Sequence, residues 1–503
     1  MQIPEYADVV VVGAGNAALC SALSAAEQGA SVLVVERTSR ADRGGNGIFT
    51  GGFMRFAFDG IDDLRAVADL SAAEEQNLAV GQYTPEAFFV DVAEVTDYRA
   101  DPDLVEALTT RSNATVRWLK SVGVRFLPAL GLHPADDDGR VPMLGHAPAV
   151  EVSGGGAGLI DALYRRVDAV GLPVLYRTRA TSLVTNDVGD VVGVRVRHDR
   201  TEYVIGAKAV ILASGGFEAS AELRARYLGS NWDLARVRGA SSNTGDGIRM
   251  ALDIGGQAFG NWSGCHSAPV DVNSPAFGDP NLTDAFTRRS YHLGIMVNRE
   301  GRRFLDEGAD FEARTYSFYG KEILQQPGQV AYQIFDAAAL PHLRPEYALR
   351  QGTRIQKDTI AALADAAAIN PDQLRSTVAE FNAATGDAPF DPRVKDGKST
   401  GSLHPPKSNW ATPIITPPFT AFPVTCGITF TYGGVRINSD AQVMHEDGYP
   451  VTGLFAAGEM VGGLFWGNYP TGGGVISGAV FGRTAGTHAG RLAAHSETQS
   501  SAQ

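Results

Sequence analysis

The chain has 503 residues, of which 44% are hydrophobic and 20% are charged, and its formal net charge is −13. This is an ordinary globular composition, and the negative charge argues against a nucleic-acid partner, whose phosphates it would repel. Glycine is abundant, with 58 residues, and no collagen-like period accompanies it. We therefore expect tight turns and loops that approach a ligand closely.

The cysteines and the apolar segments indicate in which cellular compartment the protein works. Cys20, Cys265 and Cys426 form no CxxC pair and no zinc-type spacing, and an odd count argues against a disulfide framework. No apolar run reaches 18 residues, so no membrane span is expected. The apolar N-terminal run lacks the basic leader of a signal peptide. These features predict a cytoplasmic protein without a metal site.

A strand, a glycine-rich turn, a helix and a second strand follow one another in DVVVVGAGNAALCSALSAAEQGASVLVVER, residues 8–37. Residues 9–12 are a β-branched run, which is typical of a strand buried on both faces. The alanine- and leucine-rich stretch that follows predicts a helix ending near Gly29, and residues 31–35 predict the second strand. This order is the βαβ unit of a dinucleotide-binding domain.

The turn of this unit has the residues that a pyrophosphate requires. Gly13 would make the tight turn, Gly15 would let the pyrophosphate approach, and Ala18 would allow the helix to pack closely on the strand. The helix N-terminus would face the phosphates. Glu36 lies 21 residues after Gly15, near the spacing of about 20 for the acid that binds a ribose hydroxyl. The alternative is a ligand-free turn followed by a solvated acid.

Further glycine-rich loops favour a flavin over a nicotinamide, because a flavin dinucleotide extends past its pyrophosphate and needs a longer backbone-lined path. These loops are RGGNGIFTGGF (43–53), AKAVILASGGFE (207–218), NTGDG (243–247) and GLFAAGEMVGG (453–463). We predict that one long ligand is threaded through one domain. The predicted cofactor-binding residues are Gly13, Gly15, Asn16, Ala17, Ala18, Glu36, Arg37, Gly44, Gly45, Asn46, Thr50, Gly51, Gly52, Ala180, Ala213, Ser214, Gly215, Asn243, Thr244, Asp246, Gly458, Glu459, Gly474, Val475 and Ile476.

With these motifs the chain resembles the FAD-dependent oxidoreductases of the fumarate reductase and succinate dehydrogenase flavoprotein family. GIMVNREGRRFLDEGADF (294–311) and GITFTYGGVRI (427–437) add to the resemblance. The chain looks most like tricarballylate dehydrogenase-like proteins. Its C-terminal GNYPTGGGV loop (467–475) is similar to that of 3-ketosteroid Δ1-dehydrogenases.

The resemblance implies an α/β fold with a discontinuous Rossmann-like FAD-binding domain, residues 1–265 and 415–503. An α+β capping domain would be inserted between the two parts, residues 266–414, and would close over the substrate. Covalent members of the family attach flavin through a histidine in the loop after the first acid. Residues 37–60 contain no histidine, so we expect noncovalent FAD.

The family oxidises or reduces a C–C bond next to a carbonyl or carboxylate of a small molecule. In fumarate reductases a histidine pair and an arginine hold the dicarboxylate. Thr429 and Phe430 stand at the positions of that pair, and residues 467–475 contain no arginine. In ketosteroid dehydrogenases a tyrosine hydroxyl and a glycine N–H four residues apart polarise the ketone, and Tyr469 and Gly473 have that spacing. The alternative is a rigid Tyr-Pro turn in which Tyr469 only packs.

The proton-transfer group of the family comes from the capping domain. Arg314 and Tyr316 follow GRRFLDEGADF, where relatives have an arginine or a tyrosine in that role. A phenol ordinarily has a pKa near 10, so Tyr316 as a base would need positive charge nearby. Arg314 would supply that charge or bind a substrate carboxylate. His266 would be a substrate ligand, as in fumarate reductases, or a structural histidine.

We therefore predict an enzyme that desaturates a ketone at its α,β-bond, with hydride passing to FAD and the proton to a residue of the capping domain. A tricarballylate-type polycarboxylate dehydrogenase and a fumarate reductase-like enoate reductase remain alternatives. No redox CxxxxC and no second GxGxxG for NAD(P)H are present. A quinone, dioxygen and an electron-transfer protein therefore stay open as electron acceptors, and so does a flavin-binding subunit of a larger complex.

Overall fold

The computed structural model describes residues 3–133, 135–136, 138–143, 145, 147–282 and 284–500, with side chains described as far as residue 494. Its strands are β1 (Val9–Val12), β2 (Val32–Val35), β3 (Phe53–Met54), β4 (Phe58–Asp59), β5 (Leu78–Val80), β6 (Gln82–Tyr83), β7 (Phe126–Pro128), β8 (Val141–Met143), β9 (Val150–Val152), β10 (Val174–Leu175), β11 (Thr178–Thr185), β12 (Val191–His198), β13 (Thr201–Gly206), β14 (Ala209–Leu212), β15 (Arg236–Val237), β16 (Ala258–Asp271), β17 (Ile295–Asn298), β18 (Ala331–Phe335), β19 (Ile355–Lys357), β20 (Phe419–Val435), β21 (Gln442–Met444) and β22 (Pro450–Ala456). Its α-helices are α1 (Asn16–Glu27), α2 (Ile61–Val67), α3 (Ala72–Asn77), α4 (Pro85–Val95), α5 (Pro102–Ser121), α6 (Gly155–Ala169), α7 (Ala221–Leu228), α8 (Asp246–Leu252), α9 (Glu312–Leu324), α10 (Ile360–Ala367), α11 (Pro371–Ala384) and α12 (Gly473–Ser500).

A parallel sheet carries the βαβ unit predicted at the N-terminus. Its strand order is β10-β2-β1-β14-β22, and β21 pairs antiparallel with β22 at one edge. Val9 of β1 lies between Val32 of β2 and Ala209 of β14. All four residues of β1 are buried, which explains its uninterrupted β-branched sequence. Every loop at the carboxyl edge of this sheet can therefore contribute to one site.

The short alternating strands predicted within residues 174–203 form an antiparallel sheet of order β11-β12-β13. The NDVGD segment is the turn between β11 and β12, where the Asn186 side-chain oxygen accepts hydrogen bonds from the backbone N–H groups of Val188 and Asp190. Asparagine stabilises turns in this way because its side chain bonds to the backbone two residues on. The sheet follows directly on β10.

The chain divides into two compact units. The first unit contains residues 1–228, 239–265 and 430–503, and the second contains residues 229–238 and 266–429. Strands β16 and β20 each contain a point where the chain passes from one unit to the other. The domain bounds 1–265, 266–414 and 415–503 remain the sequence-based prediction.

The second unit has a core of its own. β20 pairs with β15, β16, β18 and β19, and β17 pairs with β18. The residues Ile334, Leu363, Phe381 and Ala421 are fully buried in one apolar cluster, which joins this sheet to α10 and α11. The mixture of a mainly antiparallel sheet and separate helices is the α+β arrangement expected for the inserted segment.

The first unit is closed by contact between its first and last helices, α1 and α12. A Cβ added at Gly482 would lie 2.4 Å from the Ala17 carbonyl oxygen, and one added at Gly486 would lie 2.1 Å from that of Ser21. The backbones of the two helices therefore touch with no side chain between them. This contact attaches the C-terminal segment to the dinucleotide-binding helix.

Within the described residues, none of the helices is both long enough and apolar enough to cross a bilayer. The same part of the chain contains no group of three side chains able to hold a metal ion.

Replacing Gly486 with alanine should destabilise the protein, although alanine is the better helix former by about 1 kcal/mol. The new methyl group would meet a backbone oxygen that cannot move aside, and overpacking of this kind typically costs about 1–3 kcal/mol or more. The measurement is the melting temperature, with Thr487→Ala on the same helix as the control. A Gly486→Ala protein as stable as the wild type would contradict the close helix contact.

Candidate functional site

The dinucleotide turn begins at Gly13, whose φ of +109° lies in the region open mainly to glycine. A Cβ at Gly13 would lie 2.3 Å from the Ala213 carbonyl oxygen, so the turn abuts the loop after β14. Gly15 precedes the first residue of α1, and a Cβ added to it would lie 3.3 Å from the Gly44 carbonyl oxygen. Three of the predicted cofactor loops thus converge at the N-terminus of α1, where a phosphate is favoured.

The predicted ribose acid, Glu36, is buried at the end of β2, with 7% of its surface exposed. Its Oε1 accepts a hydrogen bond of 2.7 Å from the Thr38 backbone N–H. The next residue, Arg37, donates to the Ser242 carbonyl oxygen at 3.0 Å and to the Thr244 hydroxyl at 2.6 Å. Arg37 therefore attaches the NTGDG loop to the end of β2, beside Glu36.

Asp246, the first residue of α8, is the anchor of that loop. Arg179 of β11 binds it with two hydrogen bonds, Nε to Oδ2 at 2.7 Å and Nη2 to Oδ1 at 2.9 Å. Burial alone would raise the pKa of Asp246, but the hydrogen bond and charge of Arg179 and the charges of Arg37 and Arg249 bring it below its usual value. The carboxylate therefore stays ionised and ties β11, which carries Ala180, to α8.

A second polar cluster joins the remaining predicted loops. The Asn46 side-chain amide donates to Glu218 Oε1 at 2.7 Å and to Glu459 Oε2 at 3.1 Å. The Asn243 amide contacts the same two oxygens at 2.7 and 3.3 Å. Glu218 was not among the predicted residues, although it ends the ASGGFE motif. The signal that would have found it is an acid inside an otherwise apolar glycine loop.

All of the predicted cofactor residues lie in the first unit, and their loops connect by direct contacts. The arrangement has the parts that FAD requires: a helix N-terminus for the pyrophosphate, a buried acid after β2, and glycine-lined backbone continuing from it. Asn16 extends this arrangement to α12, because its side-chain N–H donates to the Val475 carbonyl oxygen at 2.8 Å. The residues present therefore fit FAD.

The C-terminal loop places Tyr469 in an aromatic cluster at the start of α12. The Tyr469 ring lies edge-on to Phe430 at 5.2 Å and to Phe465 at 5.6 Å between centroids. A Cβ at Gly474 would lie 3.6 Å from Phe430 and 3.9 Å from Tyr469. Tyr469 is 8% exposed, so its ring is held in place by packing over the first turn of α12.

The Gly473 N–H, predicted as a substrate donor, donates instead to the Pro470 carbonyl oxygen at 2.8 Å in this structure. The Tyr-Pro segment thus folds back as a turn that leads into α12. For the Gly473 N–H to bind a substrate oxygen, this turn would have to open. Tyr469 is therefore the remaining candidate donor of this loop.

The second unit gathers His266 and Tyr316, which were predicted as catalytic. Tyr316 of α9 is 4% exposed, and its ring lies edge-on to the His266 ring with centroids 5.0 Å apart. The Arg289 guanidinium lies 5.1 Å from the centre of the Tyr316 ring. Arg314 lies two residues before Tyr316 on the same helix and is only partly buried. Residues two apart do not share a helix face, so Arg314 and Tyr316 point in different directions.

Arg289, which packs on the Tyr316 ring, belongs to a cluster of arginines and acids that was not predicted from the sequence. Arg238 donates to Asp284 at 2.5 Å and to the Thr429 hydroxyl at 2.7 Å. Arg289 contacts Asp284 at 3.7 Å and Glu312 at 3.4 Å. The double arginine in TRRSYHLG was the available signal, but Arg238 lies in a segment without a motif. Only folding brings it into this cluster.

Of these buried groups, Arg238 and Asp284 stay ionised, whereas His266 does not. Burial alone would lower the pKa of Arg238, but the charge of Asp284 and the hydrogen bond to it raise it. Burial would raise the pKa of Asp284, and the charges of Arg238 and Arg289 bring it below its usual value. Burial lowers the pKa of His266 well below its usual value, and the Arg238 charge lowers it further. His266 is therefore neutral, which argues against its binding a substrate carboxylate as a cation.

Two comparisons with relatives cover nearly the whole chain. It is 28% identical to an NADH:acrylate oxidoreductase from Vibrio harveyi over 97% of this chain, and it spans 51% of that protein. It is 30% identical to a probable fumarate reductase, Ifc3, from Shewanella frigidimarina, over 97% of this chain and 76% of that protein. The chain thus spans about half the length of the first relative and three quarters of the second.

Two solved structures share the fold. The open conformation of a flavocytochrome c3 fumarate reductase matches with a TM-score of 0.73 and 27% identity, over 97% of this chain and 79% of that chain. The 3-ketosteroid-Δ4-(5α)-dehydrogenase of Rhodococcus jostii RHA1 matches with a TM-score of 0.68 and 25% identity, over 97% of this chain and 98% of that chain. These structures confirm the α/β flavoenzyme fold.

Replacing Glu36 with alanine should weaken FAD binding about 10- to 100-fold. A hydrogen bond to a charged group contributes about 1.5–3 kcal/mol, and each 1.4 kcal/mol is a factor of ten. Fluorescence titration of the apoprotein with FAD measures the effect, and Asp42→Ala, at an exposed acid nearby, is the control.

In the wild type, FAD should leave the polypeptide on acid denaturation. Flavin that stays attached would contradict noncovalent binding.

His266 should give the fold an acid-sensitive limb. Because its folded-state pKa lies well below 6.5, the unfolded chain alone takes up a proton as the pH falls below about 6.5. The free energy of unfolding should therefore fall by about 1.4 kcal/mol per pH unit in that range. Denaturant titrations measure this pH dependence of the free energy of unfolding. It should be smaller by about 1.4 kcal/mol per pH unit in His266→Gln. It should match wild type in His342→Gln, at an exposed histidine. Equal slopes in all three proteins would mean that His266 is protonated when folded.

The family model of the FAD binding domain matches residues 8–476. This span contains the dinucleotide turn, the buried acid after β2, both polar clusters and the first turn of α12. The chain therefore belongs to the FAD-binding domain family and is an FAD-dependent oxidoreductase of the fumarate reductase and ketosteroid dehydrogenase type, which acts on CH–CH groups.

Proposed function

We propose that this enzyme desaturates a ketone at the carbon–carbon bond α,β to its carbonyl group. The observation that carries the proposal is the position of Tyr469, packed between Phe430 and Phe465 over the first turn of α12. A hydroxyl on a ring held in this way is a fixed donor for one oxygen atom. The loop around it, residues 467–475, has no arginine that would select a carboxylate instead.

The reaction removes a proton from the α-carbon and a hydride from the β-carbon, which leaves a C=C bond. FAD, when bound, supplies the hydride acceptor. The Tyr316 phenolate oxygen takes the α-proton, and negative charge builds on the carbonyl oxygen as that proton leaves. The Tyr469 hydroxyl donates to this oxygen, and its hydrogen bond strengthens in the transition state.

Tyr316 can serve as the base because cations lie beside it. The Arg289 guanidinium lies over its ring, and negative charge on Tyr316 would raise the pKa of Arg238, so the two groups interact electrostatically. Opposite charge nearby favours the ionised form of an acid. Arg314 lies on another side of α9, which supports Tyr316 over Arg314 as the proton-transfer group. His266, being neutral, packs against the ring that it helps to position.

A ketone fits the charges of the second unit better than a polycarboxylate does. Three guanidiniums, of Arg238, Arg289 and Arg344, already face three carboxylates. Arg344 pairs with Glu346 at 2.8 Å and lies 3.9 Å from Glu312. A substrate with two or three carboxylates could bind these guanidiniums directly only by displacing the carboxylates with which they are already paired. Thr429 and Phe430 in place of a histidine pair support the same conclusion.

One alternative is the reduction of a C=C bond next to a carboxylate. The relatives named as a probable fumarate reductase and an NADH:acrylate oxidoreductase favour it. In that case Arg314 would bind the carboxylate and the proton would move towards the substrate. A panel decides between the two: anaerobic bleaching of the flavin by ketones supports the proposal. Reoxidation of reduced enzyme by unsaturated acids, without bleaching by ketones, supports the alternative.

Tyr316→Phe should slow flavin reduction by the ketone about 10²- to 10⁴-fold, the usual effect of losing a general base. FAD should stay bound and the substrate Kd should change little, because the ring remains. Stopped-flow absorbance measures the rate. Tyr319→Phe is the comparison, since the Tyr319 hydroxyl is already bonded to the Asp306 carbonyl oxygen. If Tyr316→Phe reduces as fast as wild type, the proton-transfer role moves to Arg314.

Tyr469→Phe should lower the same rate about 10²- to 10³-fold, because one donor to the developing oxyanion is lost. The ground-state Kd should change less than the rate does. Tyr432→Phe is the matched control, since Tyr432 belongs to the same aromatic cluster, with its ring 5.4 Å from that of Phe430. If Tyr469→Phe reduces the flavin as fast as wild type, Tyr469 has only a packing role. The alternative, reduction of a C=C bond next to a carboxylate, is then favoured.

A further inference from the structure

Two carboxyl groups face each other inside the first unit, and no step proposed above uses them. Glu218 follows β14 and Glu459 follows β22. The amide groups of Asn46 and Asn243 each bridge Glu218 Oε1 and Glu459 Oε2, at 2.7 and 3.1 Å and at 2.7 and 3.3 Å. Each amide has two N–H hydrogens, so each can donate to both acids at once.

The hydrogen bonds of the two acids are unequal. Glu459 Oε1 accepts from the Thr431 N–H at 3.1 Å. Glu218 is fully buried, and its Oε2 receives no hydrogen bond from any donor in the part of the chain that is described. A buried carboxylate oxygen without a donor costs free energy. A proton on Glu218 removes this cost, because the oxygen then becomes a donor and Glu459 an acceptor.

The surroundings favour one proton on the pair. Burial raises the pKa of Glu218 well above its usual value, and the charge of Glu459 raises it further. Burial also raises the pKa of Glu459. Arg224, on α7, bonds to the main-chain oxygen of Glu218 at 2.5 Å. Next to the Asn243 segment, Arg37 and Asp246 form an ion pair with each other at 3.2 Å.

We propose that Glu218 and Glu459 share one proton, and that this acid–carboxylate pair positions the Asn46 and Asn243 loops for FAD. The four residues come from four separate segments, each containing or adjoining predicted cofactor residues. Loss of the proton would leave two like charges in contact, and the loops after β14 and β22 would be pushed apart. The inference rests on FAD binding and not on the proposed ketone substrate.

Glu218→Gln tests the shared proton, because the amide keeps the size of the acid and a donor on the side chain. Above about pH 4.5 the unfolded chain has released the Glu218 proton, whereas the folded wild type keeps it. Between about pH 5 and about pH 7, this proton should multiply the unfolding equilibrium constant of wild type by about ten for each pH unit. Glu218→Gln should lack this tenfold factor. Glu106→Gln, at an exposed glutamate of α5, should behave as wild type. Equal pH dependence in wild type and Glu218→Gln would overturn the proposal.

Two further measurements test the proposal, and the first of them does not depend on whether Glu218→Gln folds. The infrared spectrum of wild-type holoenzyme should contain the C=O band of a neutral carboxylic acid that resists hydrogen exchange, and its absence would overturn the shared proton. FAD titration measures the positioning role: Glu218→Gln should bind FAD about as well as wild type, whereas Glu218→Ala should bind it at least about tenfold more weakly. Wild-type FAD affinity in Glu218→Ala would show that the pair does not position the loops.

Discussion

The contact of the last helix with the first is the constraint on which the FAD-binding unit depends. α1 and α12 touch backbone to backbone at Gly482 and Gly486, and Asn16 at the start of α1 bonds to Val475 in the first turn of α12. The two helix N-termini therefore lie beside one another. The dinucleotide turn and the aromatic loop around Tyr469 are thus attached to the same pair of helices.

Two buried clusters, one in each unit, stabilise their ionisable groups by different means. In the second unit, Arg238, Arg289 and Asp284 are paired with one another, so each ion offsets the desolvation of its neighbour. In the first unit, none of the salt bridges between described residues involves Glu218 or Glu459, and the lower-energy solution for two buried carboxyl groups that share their donors is to keep a proton. Ion pairing suits a site that needs a fixed field around Tyr316. Proton retention suits a junction that must join several glycine-rich loops.

Thr429 and Phe430 are neighbours in the chain, but their side chains have different surroundings. Thr429 and Phe430 lie within β20, and Phe430 packs on Tyr469. Thr429 instead accepts a hydrogen bond from Arg238. The Phe430 ring thus belongs to the aromatic cluster around Tyr469, whereas the Thr429 hydroxyl is already hydrogen-bonded to a buried arginine.

The sequence determined the dinucleotide turn, the strands on either side of it and the FAD family, because these depend on local periodicity and on residues that lie close together in the chain. It also identified Tyr316 and Tyr469 as candidates through spacing within short motifs. Tertiary structure decided which groups surround them. Arg289 reaches the Tyr316 ring, and Glu218 shares its amide donors with Glu459, only because separate segments fold together, and no local pattern encodes such contacts. The Gly473 N–H was likewise assigned to Pro470 by the turn geometry, because a backbone donor has no sequence signature of its own.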